Sequence, residues 1–241
     1  VGKIVDGVPC RVVTYGTVPG ADVRADSNFT LTREGGRLGA AFTVDGVRYT
    51  VGMPGAFSVQ NALAALAAAR VLGAGEDAIR RGLAAAVVQG RVEPVAVDAP
   101  FTVLIDYAHN EAAAESLLRT LRAYRPTRLV AVFGCGGCRD KGKRPLMGAA
   151  AGQYADLTVL TSDNPRTEDP LAIIRDILPG LSGPHLVIPD RREAIFRALD
   201  LARPGDTVIL CGKGHETTQE TGGHRLPMDE RQIIAEYING S

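Results

Sequence analysis

Residues 102–137 read TVLIDYAHNEAAAESLLRTLRAYRPTRLVAVFGCGG, and this stretch decides the fold. It opens on a short β-rich run at 102–105 and closes on a second at 128–133. Between them, in 111–124, Ala114, Leu117, Leu118 and Leu121 fall at i, i+3, i+4 and i+7, so one apolar stripe runs along a helix. Strand, helix, strand is a crossover unit, and strands joined in this way lie parallel.

Toward the C-terminus the alternation continues. Apolar runs at 157–161, 185–188 and 207–211 are separated by helical patterns at 143–154, 170–178 and 191–202, with a last one at 229–239. This predicts an α/β fold whose C-terminal part is a doubly wound, mostly parallel, Rossmann-like sheet covered on both faces. Before about residue 98 the pattern changes. Alternating segments at 10–14, 41–44 and 47–51, with Asp45-Gly46 as a hairpin turn, suggest antiparallel strands. Helices follow at 58–72 and 76–88. These elements are too few to close a typical α/β domain, so residues 1–97 read as the tail of a larger, partial α/β domain and 98–241 as one doubly wound domain.

The bulk numbers bound the function. The 241 residues are 45% hydrophobic and 22% charged, enough apolar material for a sizeable core. Lys+Arg and Asp+Glu are both 27, so no global charge favours nucleic acid or an acidic membrane. No apolar stretch is long enough to span a bilayer, and residues 1–4 lack the apolar run of a secretory signal. Four cysteines at irregular spacing make no disulfide framework. A cytoplasmic protein with small-molecule partners is expected, with neither nucleic acid nor membrane among them.

Four polar motifs each follow an apolar run, where an open parallel sheet binds its ligands. The first is Asp106-Tyr107-Ala108-His109, whose carboxylate suits a ribose hydroxyl but equally suits a turn cap, with His109 or Asn110 starting the helix. The second is 134–145, where glycines admit a ligand and the cations Arg139, Lys141, Lys143 and Arg144 offer fixed positive charge. Its Cys135-x-x-Cys138 also allows a redox or metal pair, with Cys211 as a third ligand. In the third, 161–170, Asp169-Pro170 caps the next helix, but Asp163, Asn164 and Arg166 have no such explanation. A guanidinium beside an amide and a carboxylate suits an amino-acid zwitterion. The fourth is Gly212-Lys213-Gly214-His215-Glu216, where Glu216 can accept from an ammonium and Gly212 can offer its carbonyl. Upstream, Arg91 lies near the expected domain boundary, where cations close on phosphates. Nowhere in the chain is there the Gly-x-x-x-x-Gly-Lys-Ser/Thr loop that cradles nucleotide phosphates.

Taken together, from about Gly55 to Asp229, these motifs resemble the Mur ligase family in its order and spacing. Asp163-Asn164-Pro165-Arg166 resembles the form that selects meso-diaminopimelate, whose second carboxylate Arg166 can pair; lysine-adding relatives replace this Arg. The resemblance implies ATP-dependent addition of meso-diaminopimelate to UDP-MurNAc-L-Ala-D-Glu through an acyl phosphate, in peptidoglycan precursor synthesis, with ATP as substrate and Mg²⁺ shielding the transferred phosphoryl group. It implies that Arg139, Asp163, Asn164, Arg166, Gly212 and Glu216 hold diaminopimelate. It places Asn61 at adenine, Asp106 at ribose and Arg91 at the γ-phosphate, with His109 as a positioner. Two positions depart from the family pattern: Cys138 replaces an acidic residue and Asn110-Glu111 replaces Thr-Pro-Asp. The phosphate loop and the Mg²⁺-binding acid would precede residue 1, so the chain is expected to be the C-terminal half of such a ligase, lacking the N-terminal half and not turning over alone. A non-catalytic amino-acid-binding module, and a related ligase taking L-lysine or another amino acid, are the alternatives.

Overall fold

The computed structural model describes residues 7–26, 29–34 and 37–240, so the reading of residues 1–4 lies outside the described residues. The chain divides into two compact units, residues 1–86 and 87–241.

In the first unit, Tyr15–Gly16 (β1) pairs in parallel with Val23–Arg24 (β2), and Thr30–Glu34 (β3), Arg37–Val44 (β4) and Val47–Val51 (β5) form an antiparallel sheet. Asp45 and Gly46 both have positive φ, the geometry that lets a two-residue turn follow the twist of its strands. Two helices follow, Ala56–Val71 (α1) and Glu76–Ala85 (α2). Phe42 and Tyr49 stack at 5.5 Å and pack into a core with Leu63 and Leu66 of α1. The strand expected at 10–14 is absent. Thr14 instead closes a loop onto Asp22, donating from its amide at 2.8 Å and its hydroxyl at 2.7 Å, so side chains satisfy groups a ladder would have used. The second helix ends at Ala85 rather than 88, because Ala86 is extended ahead of the β-branched pair Val87-Val88.

The second unit holds Glu93–Val95 (β6), Thr102–Asp106 (β7), Glu111–Ala123 (α3), Leu129–Phe133 (β8), Lys143–Tyr154 (α4), Leu157–Leu160 (β9), Pro170–Ile177 (α5), His185–Val187 (β10), Arg191–Asp200 (α6) and Thr207–Cys211 (β11). A hairpin, Thr218–Thr221 (β12) and His224–Pro227 (β13), and the helix Glu230–Ile238 (α7) complete it. The sheet order is β10-β9-β8-β11-β7-β6, parallel throughout except for β6. β6 explains why the boundary falls at 86/87 and not at 97/98: it hydrogen-bonds to β7 as the edge strand, where Pro94 is tolerated. Strands β8 and β11 are buried along their whole length. Val103, Val130, Val159 and Val208 meet Ile195 and Leu199 of α6 and Ile233 and Ile234 of α7. Leu104, Ala131 and Ile209, which point the opposite way by strand alternation, are equally buried.

From β8 the chain steps outward to β9 and β10, then returns to insert β11 between β8 and β7. That reversal opens a crevice at the carboxyl ends of the strands. Side-chain caps start the helices around it: Asn110 accepts from Ala113 N, Asp169 from Leu171 N, Asp190 from Glu193 N and Asp229 from Arg231 N. The hairpin β12–β13 was not foreseen. Its turn, Gly222-Gly223, has positive φ at both residues.

Candidate functional site

The loops after β7, β8, β9 and β11 enclose a cleft of about 360 Å³. Arg139, Asp163, Asn164, Arg166, Gly212 and Glu216 line it, as expected, together with His109. Lys143, one of the cations read as facing a ligand, lines it as well, and so do Tyr107 and Asp140, which were not singled out beforehand. The loops touch backbone to backbone. A Cβ on Gly134 would lie 2.1 Å from the Thr161 carbonyl, and Gly212, at φ +111°, leaves room for the Asp163 carboxylate.

The polar residues of the β9 loop are largely buried. Asp163 and Asn164 are each 8% exposed. Asn164 donates from Nδ2 to Glu216 Oε2 at 2.8 Å, while its Oδ1 accepts from Lys213 Nζ at 3.0 Å and from the Glu220 amide at 2.9 Å. Lys213 is fully buried and also donates to Glu216 Oε2 at 3.0 Å. Burial raises the Glu216 pKa, but the hydrogen bonds from Asn164 and Lys213 outweigh it and leave the group below the ordinary carboxylate range. Asp163 differs: among the described residues its carboxylate accepts no hydrogen bond, although it lies in the field of Arg191.

The cations of 134–145 part company. Arg139 is exposed and unpaired among the described residues. Lys141 pairs with Glu168 at 3.7 Å, and Lys143 donates to the His109 carbonyl at 2.6 Å. Arg144, read as a ligand-facing cation, is fully buried; it grips both Glu168 oxygens at 3.0 Å and reaches Asp176 at 2.8 Å. Arg144 holds the Glu168 carboxyl down at about 2, so the β8 and β9 loops are tied by an ion pair. A second such pin went unforeseen. Arg191, 2% exposed, binds Glu230 Oε1 at 2.9 and 2.7 Å and donates to the carbonyls of Ser162 and Cys211, fastening β9 and β11 together.

Asp106 does not line the cleft, and burial raises its pKa against the opposing hydrogen bonds from the amides of Val92 (2.8 Å) and Ala108 (2.7 Å). Its oxygens cap the turn, and Asn110 caps α3. Arg91 belongs to the second unit and does not line the cleft; its guanidinium sits 5.0 Å over the Tyr107 ring. His109 donates from Nδ1 to the Tyr107 carbonyl at 2.9 Å and packs edge-on to the Tyr107 ring. Asn61 is exposed on α1 of the first unit. The two cysteines of Cys135-x-x-Cys138 are free thiols in unlike surroundings. Cys135 is buried beside Met147, its thiol pushed up to about 12 by burial, whereas Cys138 turns to the Thr167 hydroxyl. No group of three metal-ligating side chains is present among the described residues, and no helix is long and apolar enough to cross a membrane.

Comparison with known proteins adds the following. The family model described as Mur ligase, glutamate ligase domain, matches residues 90–214. The UDP-N-acetylmuramoyl-L-alanyl-D-glutamate--2,6-diaminopimelate ligase of Caldanaerobacter subterraneus subsp. tengcongensis is 49% identical over 189 residues, covering 77% of this chain and 39% of that protein. The ligase of the same name from Aquifex aeolicus is 44% identical over 232 residues, covering 95% of this chain and 47% of its own. A solved structure of a UDP-N-acetylmuramoyl-L-alanyl-D-glutamate--2,6-diaminopimelate ligase superposes with a TM-score of 0.68 at 36% identity, over 95% of this chain and 47% of that one. The chain thus spans less than half the length of these relatives.

Proposed function

The chain belongs to the Mur ligase family, and from that premise we propose that its cleft binds meso-diaminopimelate for ATP-dependent addition to UDP-MurNAc-L-Ala-D-Glu. One observation carries the reading: the cleft balances Arg139, Lys143 and Arg166 against Asp140, Asp163 and Glu216. A ligand with two zwitterionic ends meets its complement there. A carboxylate faces the guanidiniums of Arg139 and Arg166, and an ammonium faces the Asp163 carboxylate, which accepts no hydrogen bond among the described residues, and Glu216, kept ionised by Lys213 and Asn164.

In the whole protein the free amine of the bound diamino acid attacks an acyl phosphate, forming the amide and expelling phosphate. This chain's residues hold and orient that amine. Arg91 and Asp106 belong, on the same reading, to the nucleotide's γ-phosphate and ribose, Asn61 to its adenine, and His109 to positioning. The first unit is then the C-terminal part of the ATP-binding domain. This chain carries no Gly-x-x-x-x-Gly-Lys-Ser/Thr loop, and phosphoryl transfer is not assigned to its residues.

Calorimetric titration of meso-diaminopimelate and, separately, L-lysine into the chain tests this. Diaminopimelate is expected to bind in preference to lysine, and Arg166→Ala to weaken it at least about tenfold. Equal binding of lysine refutes Arg166 as selector. Binding of neither refutes an amino-acid site formed by this chain.

A further inference from the structure

The hairpin β12–β13 holds each selector residue of the β9 loop. Gln219 Nε2 donates to the Asp163 carbonyl at 2.8 Å, the Glu220 amide donates to Asn164 Oδ1 at 2.9 Å, and Arg166 is bracketed on both sides of its backbone. The Arg166 amide donates to the Glu220 carbonyl at 2.9 Å, and the Gly222 amide donates to the Arg166 carbonyl at 2.6 Å. Those bonds stabilise Arg166 at φ +54°, a conformation that non-glycine residues adopt at a cost.

The side chain is held as well. Arg166 Nη1 donates to the carbonyls of Gly137 at 2.9 Å and Asn164 at 3.4 Å, and Nε pairs with Glu220 Oε2 at 3.3 Å. With Nε and Nη1 engaged, Nη2 is the nitrogen left to meet a ligand. We propose that Glu220 is a positioning residue that sets substrate specificity: by anchoring Nε it fixes the guanidinium so that Nη2 presents a single direction to the second carboxylate of the amino-acid ligand. The proposal rests on the reading of the cleft as a diaminopimelate site. Glu220 does not line the cleft and acts only through Arg166. Its side chain is 38% exposed, so its substitution leaves no buried charge behind.

The test is calorimetry of meso-diaminopimelate on the unsubstituted chain, Glu220→Ala and Glu220→Asp, with a thermal melt of each. Glu220→Ala is expected to weaken binding about tenfold, the size of the one charge-assisted hydrogen bond to the ligand that a loosened Nη2 no longer makes, with an unchanged melt. Glu220→Asp keeps the charge of the ion pair with Nε and is expected to restore binding to within about threefold. Unchanged or tighter binding in Glu220→Ala overturns the proposal alone, as does an equal loss in both variants or a loss matched by a lowered melt. No binding by the unsubstituted chain overturns the diaminopimelate reading itself, and this proposal with it.

Discussion

Arg144 and Arg191 belong to the same strand-end region as Arg139 and Arg166, yet the two pairs do different work. The first two are buried and paired to carboxylates, and they tie loops together. The second two line the cleft. A guanidinium has donors in a planar fork, which suits either bundling several strand-end carbonyls around a carboxylate or gripping a ligand. What separates the uses is how much of the fork a protein carboxylate takes up: Glu168 and Glu230 each engage two nitrogens of the buried guanidiniums, Glu220 meets only Nε of Arg166, and Arg139 meets none among the described residues.

The comparison breaks first, if it breaks, at Arg191. Arg191→Met strands Glu230, which is fully buried and has Oε2 already without a partner. A loss of about 3–5 kcal/mol in denaturant unfolding is expected, and a loss below about 1 kcal/mol would mean that the pin is not structural.

Acid sharpens the same contrast at Arg144. Its partner Glu168 titrates at about 2 in the folded chain against an ordinary 4.5, so the unfolded chain takes up the proton first as pH falls. The pair's stabilisation is therefore complete above about pH 4.5 and drains away toward pH 2. Unfolding midpoints of the unsubstituted chain and Arg144→Leu should converge as pH falls from 7 to 3; a constant gap would contradict the assignment.

Arg139 marks the opposite extreme. Exposed, and unpaired among the described residues, it should shift stability by no more than about 0.5 kcal/mol when changed to Ala. Titration calorimetry should nonetheless show weaker diaminopimelate binding, and a melt lowered as far as that of Arg191→Met would erase the distinction between the two classes.

Much of this was legible beforehand. The five parallel strands, their helices and the convergence of four motifs follow from apolar runs ending in polar loops, a local pattern. Asp169-Pro170 as a helix start follows from capping chemistry. The first unit was read less well, because Tyr15–Gly16 and Val23–Arg24 are too short to show a period, and a side-chain clasp from Thr14 to Asp22 has none. The hairpin did carry a signal, Gly222-Gly223 between two short runs, but neither run alternates cleanly between apolar and polar residues.

Sequence alone therefore determined which residue types gather at the strand ends, since periodicity and turn chemistry act over a few neighbours. Tertiary structure decided what each does there. It placed Glu168 against Arg144 across 24 residues and Glu230 against Arg191 across 39, left the Asp163 carboxylate without a hydrogen bond among the described residues, and put Glu220 beside Arg166. Pairing and burial depend on distances through space, which no local spacing along the chain encodes.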